Sequence, residues 1–174
     1  MRLRHAQPSG EKALITDLDK QFARLHLDAC ELVRSVSAAV LDGRRQPQQL
    51  RPVDSLRENI LRSAAVIEQT FGGITANLWD DPFEWTLPET LNTRQRIIEY
   101  LDEVEATRKR AFASITNDSE LFRDIVVPSG ERRPLIDLLR ETIDRATSYH
   151  ARALEMRDLL AARESKESYP GESV

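Results

Sequence analysis

The feature that most constrains this chain is the spacing of its apolar residues. Over 11–41 they recur as Ile15, Leu18, Phe22, Leu25, Ala29, Leu32, Val36 and Ala39. The steps alternate between three and four, which holds a stripe on one face of a 3.6-residue helix and does not fit a strand, whose side chains change face at every residue. A helix is therefore predicted over 11–41, with Ser9 as its N-cap and with Gly43 and the polar 44–52 stretch ending it.

The same spacing returns three times. Ser55-Leu56-Arg57-Glu58 is a capping box, in which the Ser55 hydroxyl accepts from a backbone amide and Glu58 reaches back. It opens a second helix with the stripe Ile60, Ala64, Ile67, Phe71, Ile74 and Leu78. Gly72-Gly73 lies inside that stripe and should weaken or kink the helix, by roughly 1 kcal/mol per glycine relative to alanine. Ile97, Ile98, Leu101, Val104, Ala111 and Phe112 predict a third helix over 93–115. Leu135, Leu139, Ile143, Ala146, Ala153, Met156 and Leu160 predict a fourth, opening at Pro134, which is tolerated at a first helical position.

Two segments break the period. The 79–90 stretch is rich in proline, tryptophan and acids, and it reads as a long ordered connection whose Trp79, Phe83 and Trp85 pack onto the body of the protein. Ile125-Val126-Val127 followed by Pro128-Ser129-Gly130 reads as a short hairpin within 122–133. Amphipathic helices cannot bury their stripes alone, so the predicted fold is all-α, an up-and-down four-helix bundle with a short hairpin between helices 3 and 4. A chain of 174 residues suits one such domain, placed at 1–163, with a frayed polar tail at 164–174.

Charge and cysteine content exclude several function classes. A net charge of -4 argues against a general nucleic-acid binder, because phosphate contacts need uncompensated cations. The Arg108-Lys109-Arg110 triplet follows Asp102, Glu103 and Glu105 on one predicted helix and reads as a solvated, ion-paired face. Cys30 is the only cysteine, so no intrachain disulfide can form. No apolar run reaches membrane-spanning length and no signal peptide is evident, so the expectation is a cytoplasmic protein without a membrane partner.

No H-E-x-x-H, P-loop or nucleophile elbow is present, so any chemistry must be assembled from separate helices. Candidates are the polar residues that fall on the apolar stripes. His150, with Tyr149 beside it, lies near the inner face of the fourth helix, as either a satisfied core-edge histidine or a ligand. Arg108 and Glu105 sit beside inward positions of the third helix, as either a structural ion pair or part of a polar pocket shared with His150. His26 reads as an edge histidine. Cys30 projects away from the first stripe, with nothing nearby to lower its pKa.

The chain resembles the DinB/YfiT-like superfamily of bacterial four-helix proteins over roughly 50–160. The resemblance rests on Ser55-Leu56-Arg57-Glu58-Asn59-Ile60-Leu61, on the Val127-Pro128-Ser129-Gly130-Glu131 turn leading into Leu135-Ile136-Asp137-Leu138-Leu139, and on Tyr149-His150-Ala151-Arg152-Ala153. Members with a complete site hold a divalent metal through three histidines, whose positions here fall on Arg62, Ala146 and His150. Arginine and alanine offer no ligand atom, so the resemblance implies a bundle that has lost this site, with no cofactor, and that binds a small molecule or a partner. His150, Tyr149, Arg108, Glu105 and Arg62 are then the candidate ligand-binding residues, and a homodimer is implied. The alternative is a metal-dependent enzyme, a thiol transferase or hydrolase, using a rearranged set such as His26, His150 and Glu105.

Overall fold

The computed structural model describes residues 12–41, 55–82 and 90–167. Its elements are α1 (Ala13–Ser35), α2 (Ala38–Leu41), α3 (Leu56–Ala76), α4 (Arg94–Ala113), a 3-10 turn (Asp118–Phe122), β1 (Asp124–Val126), β2 (Arg132–Pro134) and α5 (Leu135–Glu167). Helix accounts for 79% of the described residues, with one antiparallel two-stranded sheet pairing Ile125 with Arg133.

α3 and α4 start where a side chain satisfies a free amide, whereas the first amide of α5, that of Leu135, donates to the Arg123 carbonyl at 3.0 Å. Ser55 accepts from the Glu58 amide at 3.0 Å and Thr93 from the Arg96 amide at 3.3 Å. The capping box is only half made, because the Glu58 carboxylate accepts from Arg62 at 3.1 Å instead of reaching back. The start of α1 is capped from a distance of a hundred residues: both carboxylate oxygens of Asp118 accept, from the amides of Leu14 and Ile15, each at 3.0 Å. Ser9 lies outside the described residues.

The predicted 11–41 helix is in fact two. Backbone at Val36 turns extended, with φ -88° and ψ 153°, while the Arg94 guanidinium donates to its carbonyl and Ser37 caps the amide of Val40. A cation on the last carbonyls completes the C-terminus of α1, and the chain restarts as α2.

α3 runs on through Gly72-Gly73 to Ala76. A Cβ on Gly73 would overlap the indole of Trp79, and one on Gly72 would press on the Leu78 carbonyl, so the glycine pair is the seat on which the outgoing chain folds back. Asn77 makes this turn in the left-handed region at φ 56°, its amide bonded to the Gly73 carbonyl at 3.0 Å. Trp79 is half-buried there, with its carbonyl accepting from Gln69 at 2.8 Å, whereas Leu78 is exposed instead of closing the stripe. Phe83 and Trp85 lie outside the described residues.

The four long helices pack in the ring α1–α4–α3–α5 around one core. Phe22, Phe71 and Phe112 meet at its centre, with ring centroids 5.2 to 5.8 Å apart. The expected alternation fails at one step. Glu68 meets Tyr100, Phe71 meets Phe112, and Thr75 shares a groove with Thr107, so α3 and α4 run parallel. A parallel pair needs a chain long enough to return to the starting end, and seventeen residues, 77–93, separate α3 from α4.

Pro134 ends β2, paired with Asp124, instead of opening the last helix, and α5 continues past 163 to Glu167. The seam between α3 and α5 is narrow because small residues line it: Ser63 Oγ donates to the Ala146 carbonyl at 2.9 Å, and the Thr70 and Thr142 hydroxyls meet at 2.7 Å.

Candidate functional site

The seam between α1 and α4 carries the most buried charge. Arg108 is 1% exposed, and its guanidinium grips Glu105 in a two-point bond, Nε to Oε2 at 2.7 Å and Nη2 to Oε1 at 2.8 Å. Its remaining nitrogen reaches Asp19 on α1, and its face lies 5.4 Å from the centroid of Phe112. Lys109 adds a second cation on Glu105 at 3.3 Å from the surface. Burial pushes the Glu105 carboxyl up, but the hydrogen bonds and charge of Arg108, with His26 and Lys109 behind them, outweigh it and hold the group below its ordinary range. Arg108 therefore leaves the solvated face predicted for the triplet, whereas Lys109 and Arg110 stay exposed. Arg108 lies one turn after the buried Val104 and Glu105 and one turn before the buried Ala111 and Phe112, so it continues their inward face, which Lys109 and Arg110 do not share.

One helical turn toward the α4 N-terminus, three donor atoms converge. His26 and Cys30 are four residues apart on α1 and so share a face, opposite Asp102 on antiparallel α4. Asp102 Oδ1 lies 2.9 Å from His26 Nε2, Cys30 Sγ lies 3.5 Å from the same nitrogen, and all three atoms are within 4.8 Å of one another. Cys30 is buried, correcting the expectation that it points away. The stripe of α1 is wider than one neighbour requires because the helix is clasped between α4 and α5, so Ala29, Cys30, Leu32 and Val33 are all covered. Burial first, then the charges of Asp102 and Glu105 against that of Arg34, raise the Cys30 thiol.

Beneath this seam lies a cavity of about 20 Å³, lined by Phe22, Leu25, Ala29, Ser63, Ile67, Leu101 and Val104 together with His26, Glu105 and Arg108. That volume holds about one water and no organic molecule.

The remaining predicted site residues are dispersed. His150 is inward and 8% exposed, but it does not line this cavity, and its Nδ1 has no hydrogen-bond partner among the described residues. Burial lowers its pKa, with Asp28 raising it and Arg157 lowering it from nearby. Tyr149 is half-buried under the Arg152 guanidinium, 5.5 Å from its ring centroid, and Arg62 is half-buried against Glu58. His26, His150 and Glu105 do not converge. The residue facing Ala146 is Ser63, whose hydroxyl donates to the Ala146 carbonyl at 2.9 Å.

A larger opening lies elsewhere. A groove of about 480 Å³ runs between the C-terminal halves of α3 and α4, with Ile74, Ala111 and Ile115 as its apolar floor and Thr75, Thr107, Ser114, Arg110 and Arg123 around it. Only its apolar floor was legible in the sequence, because Arg123 arrives from beyond the 3-10 turn. No helix of the described residues is long and apolar enough to cross a membrane. Comparison of the chain with protein-family models, with curated proteins and with solved structures returns no match.

Proposed function

We propose that the protein is a DinB-like four-helix bundle that serves as a binding module for small amphiphilic anions, received in the groove between α3 and α4. The observation that carries this is the pair of guanidinium groups there: Arg110 and Arg123 have no carboxylate within ion-pair distance among the described residues. Among the described residues the Arg110 guanidinium donates only to the Thr107 hydroxyl, at 3.1 Å. Unpaired cations beside three hydroxyls and an apolar floor suit a carboxylate carried on a short hydrocarbon body, and a volume of about 480 Å³ accommodates it. The candidates named from the sequence, His150, Tyr149, Arg108, Glu105 and Arg62, then act as scaffold.

Octanoate and benzoate, each compared with its neutral amide, test the proposal. The carboxylates are expected to raise the melting temperature of the wild type and not of the Arg110→Ala/Arg123→Ala variant, and the amides to do nothing. Equal shifts in wild type and variant, or none with either carboxylate, would refute it. The homodimer that the DinB-like reading brings with it is read by light scattering on the same samples. A metal-dependent enzyme is the second reading, and the converging donors of His26, Cys30 and Asp102 favour it over the set expected from the sequence.

A further inference from the structure

We propose that His26, Cys30 and Asp102 form a binding site for one thiophilic divalent transition metal of the Zn²⁺ class, with a fourth coordination position open to solvent. This site is separate from the anion groove and does not depend on it.

The geometry at His26 Nε2 is the starting point. Asp102 Oδ1 and Cys30 Sγ both approach this one nitrogen, at 2.9 and 3.5 Å. A ring nitrogen carries either one proton or one lone pair. It can donate to the carboxylate or accept from the thiol, so protein groups alone leave one of the two approaches without a good hydrogen bond. A cation at the focus of the three atoms satisfies all of them at once. In a tetrahedral zinc site, bonds of about 2.0 Å to nitrogen and about 2.3 Å to sulfur place those two atoms roughly 3.5 Å apart. His26 and Cys30 already stand at that separation, and Asp102 Oδ1 lies within 4.8 Å of both.

The surroundings set the type of ion. A thiolate and an imidazole select against Mg²⁺ and Ca²⁺, which take oxygen ligands, and suit Zn²⁺ and Co²⁺. On binding, the Cys30 S–H bond is replaced by a sulfur–metal bond and the proton passes to solvent. One thiolate and one carboxylate then balance the dication. Glu105 is kept out of the coordination sphere by its two-point bond to Arg108. The donors grade from buried to open: Cys30 is 2% exposed, whereas the side chains of His26 and Asp102 are 19% and 59% exposed. The ion thus enters from the Asp102 side, and three protein ligands with one solvent position is the pattern of a catalytic rather than a structural zinc site.

Co²⁺ is the probe, added to untagged, full-length protein that has been demetallated and kept reduced. The expected result is one Co²⁺ per chain, a near-ultraviolet thiolate-to-cobalt charge-transfer band with intense visible bands of tetrahedral cobalt, and displacement of both by Zn²⁺. Cys30→Ser is expected to abolish the charge-transfer band. Asp102→Asn changes an exposed side chain and leaves the fold intact by circular dichroism. It is expected to weaken Co²⁺ binding by at least about 100-fold, more than the roughly 10- to 100-fold cost of losing an outer-shell partner. His150→Ala is expected to bind like the wild type. A wild type with no thiolate band, or Co²⁺ binding that survives Asp102→Asn unchanged in a folded protein, would overturn the site.

Discussion

Replacing Arg108 by methionine keeps an unbranched apolar stem and removes the guanidinium, which isolates the role of the α1–α4 ion network. In the wild type the guanidinium is 1% exposed and Glu105 is 7% exposed, so the substitution leaves a carboxylate buried without its two-point partner. Breaking a buried pair on one side costs about 3 to 5 kcal/mol. Asp19 is 44% exposed and rehydrates, and Lys109 remains 3.3 Å from Glu105, so the loss should fall at the lower end, about 3 kcal/mol. For a chain of this size that is a fall in melting temperature of roughly 6 to 12 °C. Urea unfolding followed by circular dichroism measures it, with the midpoint falling and the slope unchanged. Adding Glu105→Leu removes the stranded charge, and the double variant should recover at least half of the loss, because an apolar pair of similar volume is close to neutral. Glu105 sits below its ordinary pKa in the fold, so its contribution is present above about pH 4.5 and is lost as pH falls through the folded value. The double variant should lack that acid-side loss. A cost below about 1 kcal/mol for Arg108→Met, or strictly additive effects of the two substitutions, would refute the buried-network account.

Three further outcomes follow from the packing. His150 is held neutral by burial, so the unfolded chain takes up a proton at higher pH than the folded one, and stability should fall as pH drops through the ordinary histidine range near 6.5. His150→Leu, which also removes an unpartnered Nδ1, should flatten that slope between about pH 7 and 5.5 without loss of stability at pH 7, and an unchanged slope would contradict it. Gly73→Ala would gain roughly 1 kcal/mol from helix propensity alone, yet it should destabilise and shift Trp79 fluorescence to the red, because the added methyl group displaces the indole. Asp118→Ala should cost about 1 kcal/mol by uncapping α1, read as faster amide exchange at Leu14 and Ile15, and protection that stays unchanged would discount the remote cap.

The helices themselves were legible because periodicity is local: the stripes through Phe22, Phe71, Phe112 and Leu139 needed no knowledge of their neighbours, and the Ser55 cap and the 122–133 hairpin follow from residues within a few positions. Three of the inward polar residues, Arg108, Glu105 and His150, were also marked by their place on a stripe. What the sequence could not carry was every relation between elements. The Asp118 cap on α1 and the Arg94 cap on Val36 join residues far apart in the chain, and the parallel sense of α3 and α4 depends on the route of their connection. Cys30 was misplaced because a single stripe assumes one neighbour, while α1 has two. The meeting of His26 and Cys30 with Asp102 was invisible for the same reason: spacing fixes which side chains share a face of one helix, and only packing decides which face of another helix they meet.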